Sequence, residues 1–486
     1  MIQSSFVDNR SVFFKILSDD QIFEIRRAAF DVLLHTGCKI HNAEARKMLI
    51  QAGAIVKDEL VKIPEHIIEA CINTAPKGFT IYDRDGNRAM EVEGLKSFYG
   101  SSTGSLFTKD SITGEVHKTL LKDIERGARI SDALENIDFV MPMGSASDID
   151  PHQAEELYEF EAILNNTTKP SVMLSYSIIA YEMVYEMAAE VAGGLDNLRE
   201  KPFIIFYPEP ITPLVFPSDV IDRMFISADL CMPQIPGPVV QIGVTGPVTL
   251  AGGVTQLIAE ALMSVILIQL RKPGAPCFMG ASFAGFDMAT GNICLGSPEL
   301  SLGIIALNEV EKSFGLPTWG TAGGTDAKTL DAQAGVDGTF SILSQGLGGV
   351  NLIHDVGYMD NSMICSAEML VLGNEIIGKT KRFIRGFEVN PETIARELIN
   401  KVGPGGNYLQ EEHTLNNFRK ELWMPSLLTR QRFNEWKSAG AKTMERRVRE
   451  KIVNILENHE VPSLPDKVLE GIEKIKRKAD GQYATK

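Results

Sequence analysis

The sequence predicts an α/β protein built around a (β/α)8 barrel, the TIM barrel, with an N-terminal helical cap and a C-terminal helical extension. The chain carries eight short apolar runs, most of which end in Gly, Ser, Thr or Pro. Helix-like stretches separate these runs, as a parallel barrel requires, because each strand needs a crossover before the next one. At 486 residues the chain also has room for additions to a barrel of about 250 residues. The runs are Ser97–Ser101, Asp138–Ala146, Ser171–Ser177, Phe203–Pro210, Pro238–Gly246, Cys277–Phe283, Pro317–Thr325 and Leu352–Met359.

The stretches between the runs show the apolar spacing of amphipathic helices. We expect seven helices between successive runs and one after the last run, which makes eight crossovers in all. The predicted helices are Thr119–Asn136, Gln153–Asn165, Ala180–Ala192, Pro217–Ala228, Gly252–Leu270, Pro298–Phe314, Asp326–Leu343 and Ser366–Ile377.

The flanking regions divide the chain into three parts, 1–95, 96–390 and 391–486. The first part is predicted to be a cap, with two helices within Asp19–Ala54 and a β-hairpin within Phe79–Val92 that turns at an Asp-Gly step. The middle part is the barrel. Beyond Pro391 the chain is charged and helical, typical of a solvated tail, and a docking arm for a partner is the alternative.

Composition and charge argue against several classes of function. The formal net charge of −15 argues against nucleic-acid binding, which requires basic patches. No window approaches the ~18 uninterrupted apolar residues of a membrane span, and the N-terminus lacks a secretory signal, so a cytoplasmic protein without a membrane is expected. The eight histidines are scattered without a ligand pair, which predicts no metal site. The large apolar helices favour a homo-oligomer.

Three runs end in residues that could carry chemistry at the barrel mouth. The fourth run presents Tyr207 and Glu209 in a loop stiffened by three prolines. The seventh combines Trp319 with small residues that leave space. The eighth contains a His354-Asp355 pair and Tyr358. Because successive strand residues point to opposite faces, His354 and Asp355 are not expected to face the same cavity.

Aromatic side chains collect at these predicted strand ends. Ring faces attract cations, and a quaternary ammonium has no proton to donate, so aromatic faces and a nearby carboxylate remain to hold it. We therefore predict an ammonium cage. Its proposed members are Tyr99, Tyr207, Phe216, Phe283, Trp319 and Tyr358.

Three separated motifs, in order, carry a family resemblance over roughly the whole chain. They are residues 245–252 (TGPVTLAG), 316–328 (LPTWGTAGGTDAK) and 351–358 (NLIHDVGY), and residues 210–214 (PITPL) fit as well. The chain resembles the trimethylamine methyltransferase superfamily, and in particular its non-pyrrolysine branch of quaternary amine:corrinoid protein methyltransferases. The resemblance implies a TIM barrel that passes a methyl group from an amine to the cobalt of a corrinoid carried by another protein.

The sequence departs from the trimethylamine enzymes in one respect, since those carry pyrrolysine and this chain contains only the twenty ordinary residues. The resemblance then implies a betaine as methyl donor, such as glycine betaine or proline betaine, with carnitine and γ-butyrobetaine as alternatives. No cofactor would be bound permanently, because a cognate corrinoid protein supplies the cobalamin.

Two residues are assigned catalytic roles within this hypothesis. His354 would donate to the substrate carboxylate or orient a ring, and Glu209 would add negative charge near the nitrogen. An unrelated barrel lyase that uses Asp355 or Glu209 as its base stays open at this point, as does a non-catalytic betaine-binding protein. The lyase would need a Schiff-base lysine or a metal at a strand end, and Lys328 lies inside a predicted helix.

Overall fold

Short strands alternate with helices along the chain in the computed structural model, which describes residues 14–483. The strands are β1 Cys38–Ile40, β2 Ile55–Lys57, β3 Leu60–Lys62, β4 Phe79–Tyr82, β5 Arg88–Val92, β6 Phe98–Ser101, β7 Phe107–Lys109, β8 Val116–Lys118, β9 Ser171–Met173, β10 Ile204–Phe206, β11 Val215–Phe216, β12 Val239–Gln241, β13 Ser282–Asp287, β14 Asn292–Cys294, β15 Trp319–Thr321, β16 Leu352–Val356, β17 Tyr358–Met359 and β18 Ile364–Ser366.

The helices surround these strands, and most of them are longer than three turns. A π-helical turn at Val32–Thr36 follows the first helix, and a 3-10 turn at His152–Ala154 precedes the fifth. The helices are α1 Asp19–Asp31, α2 Ala43–Gln51, α3 Glu65–Thr74, α4 Leu121–Ala133, α5 Glu155–Asn166, α6 Ile178–Ala192, α7 Leu195–Glu200, α8 Ser218–Asp229, α9 Leu250–Arg271, α10 Pro298–Lys312, α11 Ala332–Gly348, α12 Ala367–Arg385, α13 Pro391–Ile394, α14 Arg396–Val402, α15 Glu412–Glu421, α16 Phe433–Ser438, α17 Met444–Asn458 and α18 Asp466–Tyr483.

Parallel pairing dominates the middle of the chain. Strands β15, β16 and β6 form one parallel sheet, and β9 pairs in parallel with β10. Single parallel bridges continue the series between neighbouring runs. They join Gly100 to Phe139, Val140 to Ser171, Phe206 to Gln234, Gln234 to Cys277, and Met279 to Thr318. The chain is therefore a mixed α/β protein in which parallel strands alternate with helices, as the sequence predicts.

Side-chain caps set where several of the helices begin. Ser177, Ser297 and Ser366 each accept a hydrogen bond from the backbone N–H three residues further on, at the starts of α6, α10 and α12. Pro298 stands at the first position of α10, where its missing N–H costs nothing. These caps hold the strand-to-helix turns at which the candidate site lies.

Two predicted boundaries in the second half of the chain are wrong. The fifth parallel segment passes through Gln234, ahead of the predicted run Pro238–Gly246. That run instead supplies β12, which pairs with the outer part of the next strand, β13. An apolar run alone does not distinguish a short central strand from the paired segment that follows it.

The helix predicted to begin at Asp326 is α11, and it begins six residues later, at Ala332. The side chain of Asp331 accepts hydrogen bonds from the N–H groups of Gln333 and Ala334 and caps α11. The Asp326 carboxylate accepts from the N–H groups of Leu295 and Gly296. Lys328 consequently lies in an exposed loop and not inside a helix.

Helix α9 is a buried helix on which the helices of the N-terminal region pack. It is long and apolar enough to cross a bilayer by length and composition, yet most of it is buried among the described residues, as is typical of a core helix. Helices α1, α2 and α3 pack on it, and the predicted hairpin forms as β4 and β5. The N-terminal region thus covers the outer face of the strand-and-helix layers.

A test of this packing uses Gly100 in β6. A Cβ at this position would overlap the ring of Phe139, which is fully buried and cannot move aside. We expect Gly100→Ala to lower the free energy of unfolding by about 1–3 kcal/mol, the usual cost of overpacking, as measured by chemical denaturation. Gly335→Ala is the control, since its Cβ would meet no atom within 4 Å and helix α11 should become slightly more stable. Equal stability of the two variants would contradict the packing.

Candidate functional site

A cavity of about 280 Å3 lies at the carboxyl ends of the parallel strands, the end at which the sequence places the chemistry. Residues from the ends of β10, β15 and β16 form its polar side, and residues of β13 and β14 form its apolar side. Its main lining side chains are Thr103, Leu174, Tyr176, Tyr207, Glu209, Ser282, Ile293, Leu295, Thr321, His354, Asp355 and Tyr358. We call it the central cavity.

His354 and Asp355 both line the central cavity, which corrects the expectation that they face opposite sides. The pairing of β16 with β6 shifts register between Ile353 and Val356. Within this irregularity Asp355 adopts a φ of +78°, a left-handed conformation that is rare for a residue other than glycine. The irregularity breaks the alternation of side chains along the strand, so two consecutive polar groups point into the same space.

The imidazole of His354 has both ring nitrogens occupied. Its Nδ1 lies 2.8 Å from the carbonyl oxygen of Gly320, so Nδ1 carries the proton and donates it. Its Nε2 lies 3.2 Å from Oδ1 of Asp355. Burial lowers the pKa of His354 to about 4 and raises the pKa of Asp355 well above its usual value. Burial thus favours the neutral form of both groups, and Asp355 accepts a hydrogen bond from Thr321.

This tautomer bears on the predicted role of His354. A neutral imidazole whose Nδ1–H is held by a backbone carbonyl has no second proton to give to a ligand. His354 lies beside Asp355, with Nε2 3.2 Å from Oδ1, and stacks on the indole of Trp319, with ring centroids 4.2 Å apart. The donation from His354 to a substrate carboxylate and the orientation of a ring by His354 both stay predictions.

Tyr207 and Glu209 reach the cavity from the loop after β10. The ring of Tyr207 lies so close to the backbone of Gly237 that a Cβ there would overlap it, so this glycine makes room for the ring. Burial raises the pKa of Glu209 to about 7, against the opposing effects of the Tyr207 hydroxyl and the positive charge of Arg223. Arg223 itself is held by Asp219, at 2.9 Å.

Tyr358 and Tyr176 complete the aromatic wall. The hydroxyl of Tyr358 donates to the carbonyl of Thr103, which directs the side chain across the cavity. Tyr176 is 64% exposed and borders both the central cavity and the two cavities beside it. The sequence reasoning missed Tyr176, although its place near the end of the third apolar run is the same signal that pointed to Tyr207.

Two rings of the predicted cage lie away from the cavity, and a third only borders it. Tyr99 is fully buried, and its hydroxyl donates to the carbonyl of Ile342 in α11, behind the strands. Phe216 is buried in β11, which pairs with β1 of the N-terminal region. Phe283 borders the cavity, but its ring extends between α9 and α10, within 3.0 Å of the Cβ positions of Gly253 and Gly303.

Trp319 occupies an intermediate position. It is fully buried and lies beneath the cavity, with its ring centroid 5.4 Å from that of Tyr207 and in contact with Phe139 on its other side. Of the predicted site residues, the structure brings Tyr207, Glu209, His354 and Tyr358 to the cavity, with Phe283 at its border and Trp319 beneath.

The central cavity has an unbalanced set of charges. Two carboxyl groups, Glu209 and Asp355, stand in its wall, and neither forms an ion pair with Lys or Arg within residues 14–483. No lysine or arginine side chain is among the lining residues. Ring faces and the Glu209 carboxyl, whose pKa is about 7, both favour a cation. The arrangement therefore suits a small ligand with a positive charge, and no lysine is in place for a Schiff base.

Comparison with known proteins gives a consistent family assignment. The family model for trimethylamine methyltransferase (MTTB) matches residues 2–482. A trimethylamine methyltransferase of Desulfitobacterium hafniense is 30% identical over 468 residues, covering 96% of this chain and 94% of that protein. A glycine betaine methyltransferase of Desulfitobacterium hafniense is 28% identical over 457 residues, with 94% and 95% covered.

A solved structure shares the fold. The crystal structure of the monomethylamine methyltransferase of Methanosarcina barkeri superimposes with a TM-score of 0.53 at 12% sequence identity. The superposition covers 98% of this chain and 90% of that chain. At this identity the likeness supports the fold and nothing finer.

The pKa of Glu209 generates a test of cation binding. A cation in the cavity favours the ionised carboxylate, so below pH 7 it must displace the Glu209 proton. We expect the affinity for tetramethylammonium to fall by up to about tenfold per pH unit below pH 7 and to level off above it, with proton release measured by calorimetry in two buffers. Glu209→Gln should bind more weakly with little pH dependence. A wild-type affinity that does not change between pH 5.5 and 8 would refute ionisation of Glu209 on binding.

Proposed function

The chain belongs to the trimethylamine methyltransferase family and is a methyltransferase, and we propose that it takes its methyl group from a quaternary amine of the betaine class. The acceptor in this proposal is the Co(I) corrinoid of a partner protein. The observation that carries the proposal is the central cavity itself, in which Tyr207 and Tyr358 stand beside the carboxyl groups of Glu209 and Asp355 and no lysine or arginine is in the lining.

The parallel segments support a barrel around this cavity. Strand pairs and bridges link eight segments in the ring order of a (β/α)8 barrel, from β6 through Phe139, β9, β10, Gln234, Cys277 and β15 to β16, which pairs back to β6. We infer that the eight segments close into a barrel, with the cavity at the end where barrel enzymes hold their active sites.

Methyl transfer from a quaternary ammonium requires little from the protein beyond positioning of the donor. When the carbon–nitrogen bond of a quaternary ammonium breaks, its electron pair stays on nitrogen and a neutral tertiary amine leaves, so no general acid is needed. The neutral His354–Asp355 pair and the aromatic side chains are suited to holding the ammonium in one orientation. Alignment of the methyl carbon with its acceptor is the main contribution that positioning supplies.

The cavity size limits where the corrinoid can be. A space of about 280 Å3 suits a small amine, but a corrin macrocycle with its substituents is too large to enter it. The corrinoid therefore approaches the mouth from outside as a co-substrate carried by its own protein. The loop after β15, from Ala322 to Gly324, consists of small residues.

The donor is proposed to be a quaternary amine and not trimethylamine. The sequence contains only the twenty ordinary amino acids and so lacks pyrrolysine. Glycine betaine and proline betaine are the first candidates, and the glycine betaine methyltransferase among the relatives supports this class. Carnitine and γ-butyrobetaine share the ammonium group and are the alternatives.

A spectroscopic assay tests the activity. The chain is mixed anaerobically with free cob(I)alamin and one donor at a time: glycine betaine, proline betaine, carnitine, γ-butyrobetaine or trimethylamine. We expect one quaternary donor to convert the cob(I)alamin spectrum to that of methylcobalamin, and trimethylamine to give no change. Binding of a betaine without methylcobalamin, either with free cobalamin or with the cognate corrinoid protein, would instead indicate a non-catalytic binding protein.

Variants of Tyr207 test the cage. Removal of the ring in Tyr207→Ala should weaken donor binding by up to about 2 kcal/mol, or roughly 30-fold, the value of a desolvated cation–π contact. Tyr207→Phe should keep most of the affinity, because the ring face remains. Tyr99→Phe is the control, since Tyr99 lies behind the strands. Unchanged donor affinity in Tyr207→Ala, measured by calorimetry, would remove this ring from the site.

A further inference from the structure

We propose that residues 387–443 form an interface with a second copy of this chain. This segment, which we call the arm, follows α12, contains α13 to α16 and ends where α17 begins. Leu427 is the one buried residue within it. The chain on both sides packs normally, since α12 and α17 contact each other and α18 packs on α6.

The arm has regular structure without a core to support it. Helices α13 to α16 are 4 to 10 residues long, and none of them contains a buried residue. None of them packs extensively on another described helix or strand. Isolated helices of this length are not stable in water, because they need the burial of an apolar face. The surface that covers the arm must therefore come from another molecule.

The exposed side chains of the arm are apolar enough to form such a contact. Eleven of the twenty-nine large apolar side chains exposed among residues 14–483 lie on it, including Leu409 (79% exposed), Leu415 (70%), Phe387 and Phe433 (both 69%). Their exposed area is on the order of 1,000 Å2, given that an aromatic side chain can bury about 150–250 Å2. A stable dimer needs about 800 Å2 from each partner.

The place of the arm argues against the corrinoid protein as its occupant. Helix α12 begins beside the mouth and ends at Arg385, and close to that end Lys381 pairs with Asp138 at the amino-terminal start of the second parallel segment. The guanidinium groups of Arg382 and Arg385 bind the carbonyls of Glu421 and Lys420 there. The arm thus joins the body at the end opposite the central cavity, which a protein presenting a methyl acceptor does not need to touch.

Two further features favour a second copy. A carrier protein must dissociate to be reloaded, whereas the arm needs permanent cover. The arm also carries eight basic and seven acidic residues in a chain whose net charge is −15. Two copies can therefore meet through their arms without the like-charge repulsion that other surfaces of this acidic chain would create.

Sedimentation velocity and light scattering of the full chain test the interface, and neither needs substrate. We expect a mass of at least twice that of one chain at micromolar concentration. The double variant Leu409→Glu/Leu415→Glu should sediment as a monomer, with its dissociation constant raised at least about 30-fold. Ile112→Glu/Val336→Glu is the matched control, because both residues lie outside the arm with similar exposure, 67% and 66%. Circular dichroism checks that all variants are folded.

Three outcomes would overturn the proposal. The first is a wild-type chain that is monomeric at every concentration. The second is an arm variant that keeps the wild-type mass. The third is an arm variant of unchanged mass that transfers methyl to free cob(I)alamin but not to the corrinoid protein, which would assign the arm to that partner. Because mass is measured without a donor, failure of the methyl-transfer assay leaves this result standing.

Discussion

Buried carboxyl groups in a wall that holds no lysine or arginine are the constraint around which the central cavity is organised. Desolvation of Glu209 and Asp355 disfavours their charged forms, and the chain compensates in two ways. Burial raises the pKa of Asp355 well above its usual value, which favours the protonated carboxyl beside His354. Glu209 is left near the point of half-ionisation, with a pKa of about 7. A positively charged ligand would balance the negative charge of the ionised Glu209 at this site.

Much of the fold could be predicted because alternation of strands and helices is a strong signal in this sequence. The runs at Ser97–Ser101 and Ser171–Ser177 contain β6 and β9, and α10 begins at Pro298 as its Ser-Pro cap indicates. The position of the fifth parallel segment was predicted wrongly because this segment pairs with its neighbours only through isolated bridges at Gln234. A single bridging residue has no recognisable sequence pattern. Apolar content reports burial, and burial does not depend on which part of a run pairs with its neighbours.

The site was predicted less completely than the fold, because the sequence does not give the direction in which each side chain points from its strand. Tyr207 and Tyr358 follow their strands and turn inward, whereas Tyr99 lies within β6 and points outward to α11. When a strand is only three or four residues long, the position of a residue along an apolar run does not tell which face of the strand its side chain occupies. Asp355 was predicted to point away from the cavity because side chains alternate along a regular strand. The register shift in β16 interrupts this alternation, so Asp355 points into the cavity. The arm was expected to be solvated because its charges are plain in the sequence, while the lack of a core beneath it is visible only in three dimensions.

The contact between Trp319 and His354 has a practical consequence. The chain contains three tryptophans, and the other two, Trp423 and Trp436, lie in the arm. Trp319 is sealed from water, 4.2 Å from an imidazole and 5.4 Å from a phenol that borders the ligand space. Replacement of Trp423 and Trp436 by phenylalanine would leave Trp319 as the single indole of the chain. The remaining fluorescence would then come from the floor of the cavity, and the variant carries its own optical reporter of occupancy.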